Sequence, residues 1–365
     1  MFGPKHYVPI LKWKRAEQNA LEGLSNEAKE HMTPLIQFVM PKPTSSDSPE
    51  KQFEWVVAKF KEKVPLIPQQ IAKSWGQTAI FIDFSLLYTT SLKCDSLTRV
   101  SASGREEGVN LIPVVNLSED SEFKKVIRST AKEYSTGICI RLVPHDLADV
   151  AALNKEINDF LGWCGLKEAD VDLVIDTKEI VEGGSYLSYL NASQKIQNLR
   201  AWRTFIFASG AFPADLSKCK IDEENLIPRL DWENWLGQLA MKNFLRKPTF
   251  ADYTIQHPIY NESSQFFYPT TSIRYTLKDD WLIMKGRKQK FELYLANAKL
   301  LVDDRKKFFG EAFSYGDKYI AEKAKHYSVY IKNPKVKGTG STEGWLTAGI
   351  NHHLVLTAHQ IANLP

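Results

Sequence analysis

The chain has 365 residues, 43% hydrophobic and 25% charged, which is enough for one large domain with a smaller one attached and for a core of ordinary size. Lys and Arg exceed Asp and Glu by 47 to 43, a net charge of +4. That excess is too small for a protein that holds nucleic acid by bulk charge, although a local basic patch stays open. No apolar run approaches the roughly 18 residues of a membrane span, and the opening MFGPKHYVPILKWKRAEQ lacks a signal-peptide pattern, so no membrane association is expected.

Up to about residue 260, short apolar runs alternate with longer stretches of helical spacing. The first run is Tyr7 to Leu11, followed by a helix expected over Arg15 to His31. The second is Leu35 to Met40, closed by Pro41 and Pro43. A Ser/Asp/Pro loop from Pro43 to Pro49 then leads into a helix to Lys63, with more helix near Ile67 to Trp75. The third, Ala79 to Phe84, is the clearest strand. The fourth is Leu111 to Val115, with a helix from Ser121 to Tyr134. The fifth is Gly137 to Arg141, with a helix from Leu147 to Cys164 closed by Gly165. The sixth is Asp172 to Asp176, with a helix from Ser185 to Trp202. The seventh is Thr204 to Ala208, with a helix from Trp232 to Asn243, and the eighth is Phe250 to Ile255.

Eight apolar runs separated by helices read as parallel strands buried on both faces. Their number and the length of the segment favour closure into a (β/α)8 TIM-type barrel over an open doubly wound sheet, and no Gly-rich fingerprint follows the first strand. Pro9 and Pro113 fall inside two of the runs and count against them, because proline lacks the ladder donor. We place the barrel at residues 1–265. The remainder, 266–365, reads as an α+β extension packing near the barrel mouth. It holds a hairpin over Ser272 to Met284 turning at Lys278 to Asp280, helices over Lys290 to Phe309 and Asp317 to Lys325, a loop over Asn333 to Ser341, and a last helix over Gly344 to Ala362.

Chemistry in such a barrel sits at the C-terminal ends of the strands. The residues there are Lys12 and Lys14, Lys42, Asp83, Asn116, Arg141, Asp176, Ser209 and Gly210, and Asp252 and Tyr253. Asp83, Asp176 and Asp252 would suit a hard cation such as Mg²⁺ or a general base. Lys12, Lys14, Arg141 and Arg274 would receive phosphate, and the Ser209–Gly210 turn resembles a phosphate cradle. His257, just past the eighth run, has the pKa for acid–base work. The plainer alternative is that the charges pair across the mouth, Asp83 with Arg141 for example.

Asp231 reads as a helix N-cap, while Arg229 beside it has no evident role. His352 and His353 are adjacent on a helix and face different ways, and His359 is out of register with His352, so no helical metal pair is expected. The cysteines Cys94, Cys139, Cys164 and Cys219 form no C-x-x-C pair. They read as free thiols of a cytoplasmic protein, with Cys139 buried in a strand.

Several blocks together resemble the phage "beta protein" family: Tyr7 to Lys14, Ser209 to Pro213, Arg229 to Trp232, Ala251 to Pro258, Arg274 to Thr276, Trp281 to Ile283, Phe313 to Asp317, and Asn351 to His353. The opening block and the Asp252-Tyr253…His257-Pro258 block are the most specific. Ala251 departs from the glycine expected there. The resemblance implies a role in bacterial antiviral defence or phage–host conflict and carries over no catalytic residue.

Two functions follow as expectations. In one, the mouth binds or cleaves a phosphate-containing ligand, nucleic acid or nucleotide, as a metal-dependent phosphodiesterase or nuclease would. In the other, the chain is a non-enzymatic recognition or scaffold subunit for a partner protein of a defence system. An open mouth with unpaired carboxylates would favour the first, and a mouth filled by paired charges and rings the second.

Overall fold

The computed structural model describes residues 2–43, 48–180, 185–242, 244–260, 270–335 and 337–364. Most of the loop expected from Pro43 to Pro49, the helix end at Asn243 and one position of the loop expected from Asn333 to Ser341 lie outside them.

Eight parallel strands close into a barrel: β1 (Tyr7–Lys12), β2 (Leu35–Gln37), β3 (Ile80–Asp83), β4 (Leu111–Val115), β5 (Ile138–Leu142), β6 (Val171–Glu179), β7 (Thr204–Gly210) and β9 (Thr249–Asp252). Closure is made by β9 on β1, with Tyr7 opposite Phe250 and Pro9 opposite Asp252. Pro9 and Pro113 stay inside β1 and β4, each at the loss of one ladder donor.

Strand side chains alternate between the two faces of the barrel wall. Val8, Ile10, Leu35, Phe81, Ile112, Val114, Cys139, Val174, Ile206, Ala208, Ala251 and Tyr253 fill the interior. Their neighbours in sequence, such as Tyr7, Leu11, Ile82, Leu173, Phe207 and Phe250, point outward into a second core under the helices.

The barrel helices are α1 (Arg15–Glu22), α2 (Asn26–Glu30), α3 (Pro49–Lys63), α4 (Ile67–Ser74), α5 (Thr90–Glu106), α6 (Ser121–Tyr134), α7 (Val150–Cys164), α8 (Ser185–Ser193) and α9 (Leu230–Ala240). Side-chain caps set several starts, among them Ser48 for α3, Asp120 for α6 and Asp149 for α7. The helix expected over residues 15–31 is broken because Ser25 caps a new one, α2. The helix expected to Trp202 ends at Ser193. Asp231 is not the N-cap of α9. Arg229 holds that position without a side-chain cap, and the Asp231 carboxylate is turned inward to accept from the Ala211 and Trp232 amides.

The extension contributes β10 (Thr270–Thr276), β11 (Asp280–Lys288), α10 (Glu292–Asp303), α11 (Tyr315–Lys332) and α12 (Thr342–Ala362). The hairpin β10–β11 is present and gains a third strand, β8 (Glu224–Pro228), from the segment between β7 and α9. In space, β8 crosses the sequence boundary near residue 265 in one direction and α12 crosses it in the other. Thr347 and Asn351 of α12 donate to the carbonyls of Ala16 and Ala20 on α1. Ile350, Leu354, Ala358 and Ile361 share the outer core with Tyr7 and Leu11. The last helix thus fills the place of the eighth barrel helix, beside β9 and β1.

Candidate functional site

Inward parity brings Lys12, Gln37, Asp83, Arg141, Asp176 and Tyr253 together at the C-terminal mouth. Lys12, Gln37 and Asp83 are consecutive partners across β1, β2 and β3. Arg141 lies at the centre. Its Nη1 binds Asp83 Oδ2, its Nε and Nη2 reach Asp176 Oδ2 at 2.9 and 2.5 Å, and Nη2 also donates to the Tyr253 hydroxyl at 2.8 Å. Tyr253 in turn donates to Asp176 at 2.7 Å. Gln37 donates to Asp83 at 3.2 Å, and the Ser85 amide closes its other oxygen at 2.8 Å.

Asp83, Arg141 and Tyr253 are each 1% exposed and Asp176 is 0% exposed. Burial would raise the Asp176 carboxyl, but the Lys178 and Arg141 cations and the hydrogen bonds of Lys178 and Tyr253 hold it well below the carboxylate range. Burial and the Asp176 charge push the Tyr253 hydroxyl far up. Asp176 is therefore an ionised, saturated acceptor, and Tyr253 stays a protonated donor.

Lys12 is the exception in the mouth. Its ammonium donates to the His257 carbonyl at 3.2 Å and lies 4.7 Å from the centre of the Tyr253 ring. Burial, with Arg141 and Lys178 nearby, lowers its pKa to about 7. Lys178 is a mouth residue that strand parity could have found, since it follows Asp176 by two. It binds Asp176 Oδ2 at 2.7 Å from a bulge with φ of 60°. Gln37 was legible by the same rule. Glu17, on α1, is buried with its carboxyl raised by burial and is held by Gln256 at 2.6 Å; nothing in the local sequence marks it.

Asp252 does not join Asp83 and Asp176. It stands one residue out of inward register and faces the helices, where its carboxylate accepts from the Tyr7 hydroxyl at 2.6 Å and contacts His353 Nε2 at 2.9 Å. The set Asp83, Asp176 and Asp252 is thus split across the barrel wall, and the first two carboxylates are spent on Arg141. No group of three or more His, Cys, Asp or Glu among the described residues is arranged to hold a metal ion, and these residues do not fit Mg²⁺.

The other expected residues disperse. Ser209 is buried at outward parity beneath the helices, whereas Gly210 faces the mouth, where a Cβ would stand 3.0 Å from Pro258 and 3.1 Å from Tyr253. Lys14 lies over the Tyr260 ring at 4.8 Å. His257 reaches Glu179 at 3.3 Å. Arg274, on β10, donates to the Ile255 carbonyl at 2.9 Å and stacks over Phe212 at 5.1 Å. It fastens the extension to the segments after β7 and β9 and stands apart from Arg141.

Outside the wall runs a second buried network. His353 links Asp252 to Thr276 Oγ1 at 2.9 Å. Its neighbour His352 contacts Asp317 and the Thr276 carbonyl at 2.8 Å each, and stacks on Tyr275 at 3.9 Å. Tyr275 and Ser314 donate to the same Asp317. Arg229, fully buried, donates to the carbonyls of Leu277 and Lys278 and to Thr357 and Gln360. Burial and the nearby Asp252 raise the Asp231 carboxyl to about 7. The two histidines do face different ways, and each finds a buried acidic partner. Tyr7, Arg229, Asp252, Tyr275, Thr276, Asp317, His352 and His353, which come from six of the resembling blocks, take part in this network.

A family model described as Beta protein matches residues 7–359, nearly the whole chain. No curated protein matches it.

Proposed function

Because the chain belongs to the Beta protein family, whose match runs through barrel and extension together, we propose that it is a recognition component in conflict between bacteria and phage, working by binding a phosphate-containing ligand without cleaving it. The observation that carries this reading is the bridge made by Arg141. The metal-dependent hydrolysis expected of this mouth needs a carboxylate free to hold the metal. Asp83 and Asp176 are instead bridged by one guanidinium and excluded from water, and Asp176 is held further by Lys178 and Tyr253. Removing one partner of such a buried pair costs about 3–5 kcal/mol, so the bridge is not readily opened for catalysis. No helix among the described residues is long and apolar enough to cross a membrane, and the four cysteines are free thiols, which is compatible with work in the cytoplasm.

The test is a turnover assay on the purified full-length chain. Single- and double-stranded DNA, RNA, nucleoside triphosphates and bis(p-nitrophenyl) phosphate are each incubated with Mg²⁺ and with Mn²⁺. The expected result is no product above the protein-free rate. Hydrolysis by the wild type that disappears in Asp176→Asn would overturn the reading.

A further inference from the structure

Lys12 differs from the other mouth cations in its partners. Asp83 is committed to Arg141, and Asp176 to Arg141 and Lys178. Lys12, only 2% exposed, has the His257 carbonyl at 3.2 Å and the face of the Tyr253 ring at 4.7 Å. An ammonium carries three donors, and the carbonyl takes one. A buried charge so weakly compensated is costly, whereas a neutral amine with a lone pair suits the place.

A carboxyl with spare capacity lies nearby. Glu17, on α1, is close enough for its charge to stabilise that of Lys12. Gln256, the residue before His257, holds Glu17 Oε1 at 2.6 Å. Glu17 Oε2 is buried without a hydrogen-bond partner among the described residues. Burial, then the Arg141 and Lys178 charges, bring the Lys12 pKa to about 7, against the pull of Glu17 and Asp176. Burial raises the Glu17 carboxyl. The amine is thus moved toward its free base and the carboxyl toward its acid, the forms that a nucleophile and a proton donor need. The Lys12 stem is flexible and one carbonyl holds its end, so Nζ can turn toward the rim, where the Lys178 side chain is 33% exposed.

We propose that Lys12 forms a reversible imine with an aldehyde or ketone ligand, and that Glu17 supplies the proton that lets water leave. The Lys12 nitrogen pair bonds to the carbonyl carbon, and the C=O π pair moves to oxygen. That oxygen takes one proton from the nitrogen and one from Glu17 and departs as water. The remaining nitrogen pair closes the C=N bond, and the iminium returns a proton to Glu17. Amine and carbonyl give imine and water, with no other reactant. No phosphate ester breaks, so the step goes beyond the reading above and is tested apart from it.

The test is trapping on the full-length chain with glyoxylate and cyanoborohydride, which reduces an imine to a stable amine. Peptide mass spectrometry then follows each lysine. At pH 7, Lys12 should label about tenfold or more faster than Lys218 and Lys332, which are exposed. Its rate should level off above about pH 8, whereas a lysine with the ordinary pKa of about 10.4 keeps gaining. Glu17→Gln keeps the shape and removes the proton. It should slow Lys12 by about tenfold or more and leave Lys218 and Lys332 unchanged. Lys12→Met, folded by circular dichroism, should lose the fast label, and urea should abolish the advantage of Lys12 in the wild type. The proposal is overturned if Lys12 in the folded chain labels no faster than the exposed lysines. It is equally overturned if its rate keeps climbing past about pH 9, or if its advantage survives in urea. An unchanged rate in Glu17→Gln would overturn the part given to Glu17.

Discussion

His353, on the last helix, meets Asp252 at the end of the last barrel strand at 2.9 Å, and both side chains are fully buried. A carboxylate only accepts, so the ring nitrogen facing it carries the proton and the other nitrogen accepts from Thr276. One histidine therefore joins the barrel wall, the last helix and β10. The extension is wired into the barrel, not laid against it.

Asp252→Ala should therefore unfold barrel and extension together. It strands the Tyr7 hydroxyl and the His353 ring in a dry site, a loss of about 3–5 kcal/mol. Equilibrium urea unfolding should show one transition at a lower midpoint. Two transitions, with one at the wild-type position, would mean that the extension is an independent unit.

Asp231 should give this seam a pH dependence. Burial and Asp252 raise its folded pKa to about 7, above the roughly 3.9 of an unfolded aspartate. The folded state then binds more protons between those values, and stability falls as pH rises from about 4 through 7. His353 acts oppositely. Burial lowers its folded pKa below 6.5, so its contribution to stability is lost as pH falls. Asp231→Asn copies the protonated form. Its stability relative to wild type should improve steadily from about pH 5 to pH 8 in parallel urea titrations. A gap that stays constant with pH would refute the assignment.

The barrel was legible because parallel strands buried on both faces leave continuous apolar runs, and because Gly165 and the run from Ser121 to Tyr134 mark helix ends by local chemistry. Which strand-end residue faces the mouth was less so. At the end of β9 the two adjacent polar residues Asp252 and Tyr253 must face opposite sides of the wall. Tyr253 took the inward place and Asp252 the outward one. The His353–Asp252 contact joins positions 101 residues apart, and no local pattern encodes such a pair. Strand β8 hid in an exposed stretch, Glu224–Pro228, that pairs with β11 of the extension.

Arg141→Lys should fail to replace the guanidinium. Arg141 uses three nitrogens on two carboxylates and a hydroxyl, a geometry that a single ammonium cannot copy. Asp83 would lose its cation in a site without water. We expect a loss of about 3 kcal/mol or more by thermal or urea unfolding, despite the conserved charge. A variant as stable as wild type would show that the mouth tolerates opening, and would weaken the case against catalysis there.

Gly349 separates packing from helix propensity. In an isolated helix, Gly→Ala stabilises by about 0.5–1 kcal/mol. Gly349, on α12, has no room for it. A Cβ there would stand 2.7 Å from the backbone oxygen of Arg274 on β10 and 2.8 Å from Ile255 Cδ1. The oxygen belongs to a strand paired along its length with β11, so it cannot yield as a flexible side chain would. Gly349→Ala should push α12 off β10, at a cost of about 1–3 kcal/mol. Gly237, exposed on α9 with nothing within 4 Å of a built Cβ, is the matched control, and Gly237→Ala should raise the melting temperature. Equal gains in both variants would mean that α12 does not press on β10. Opposite signs would mean that the eighth helical position of the barrel is held by backbone contact with the extension's own sheet.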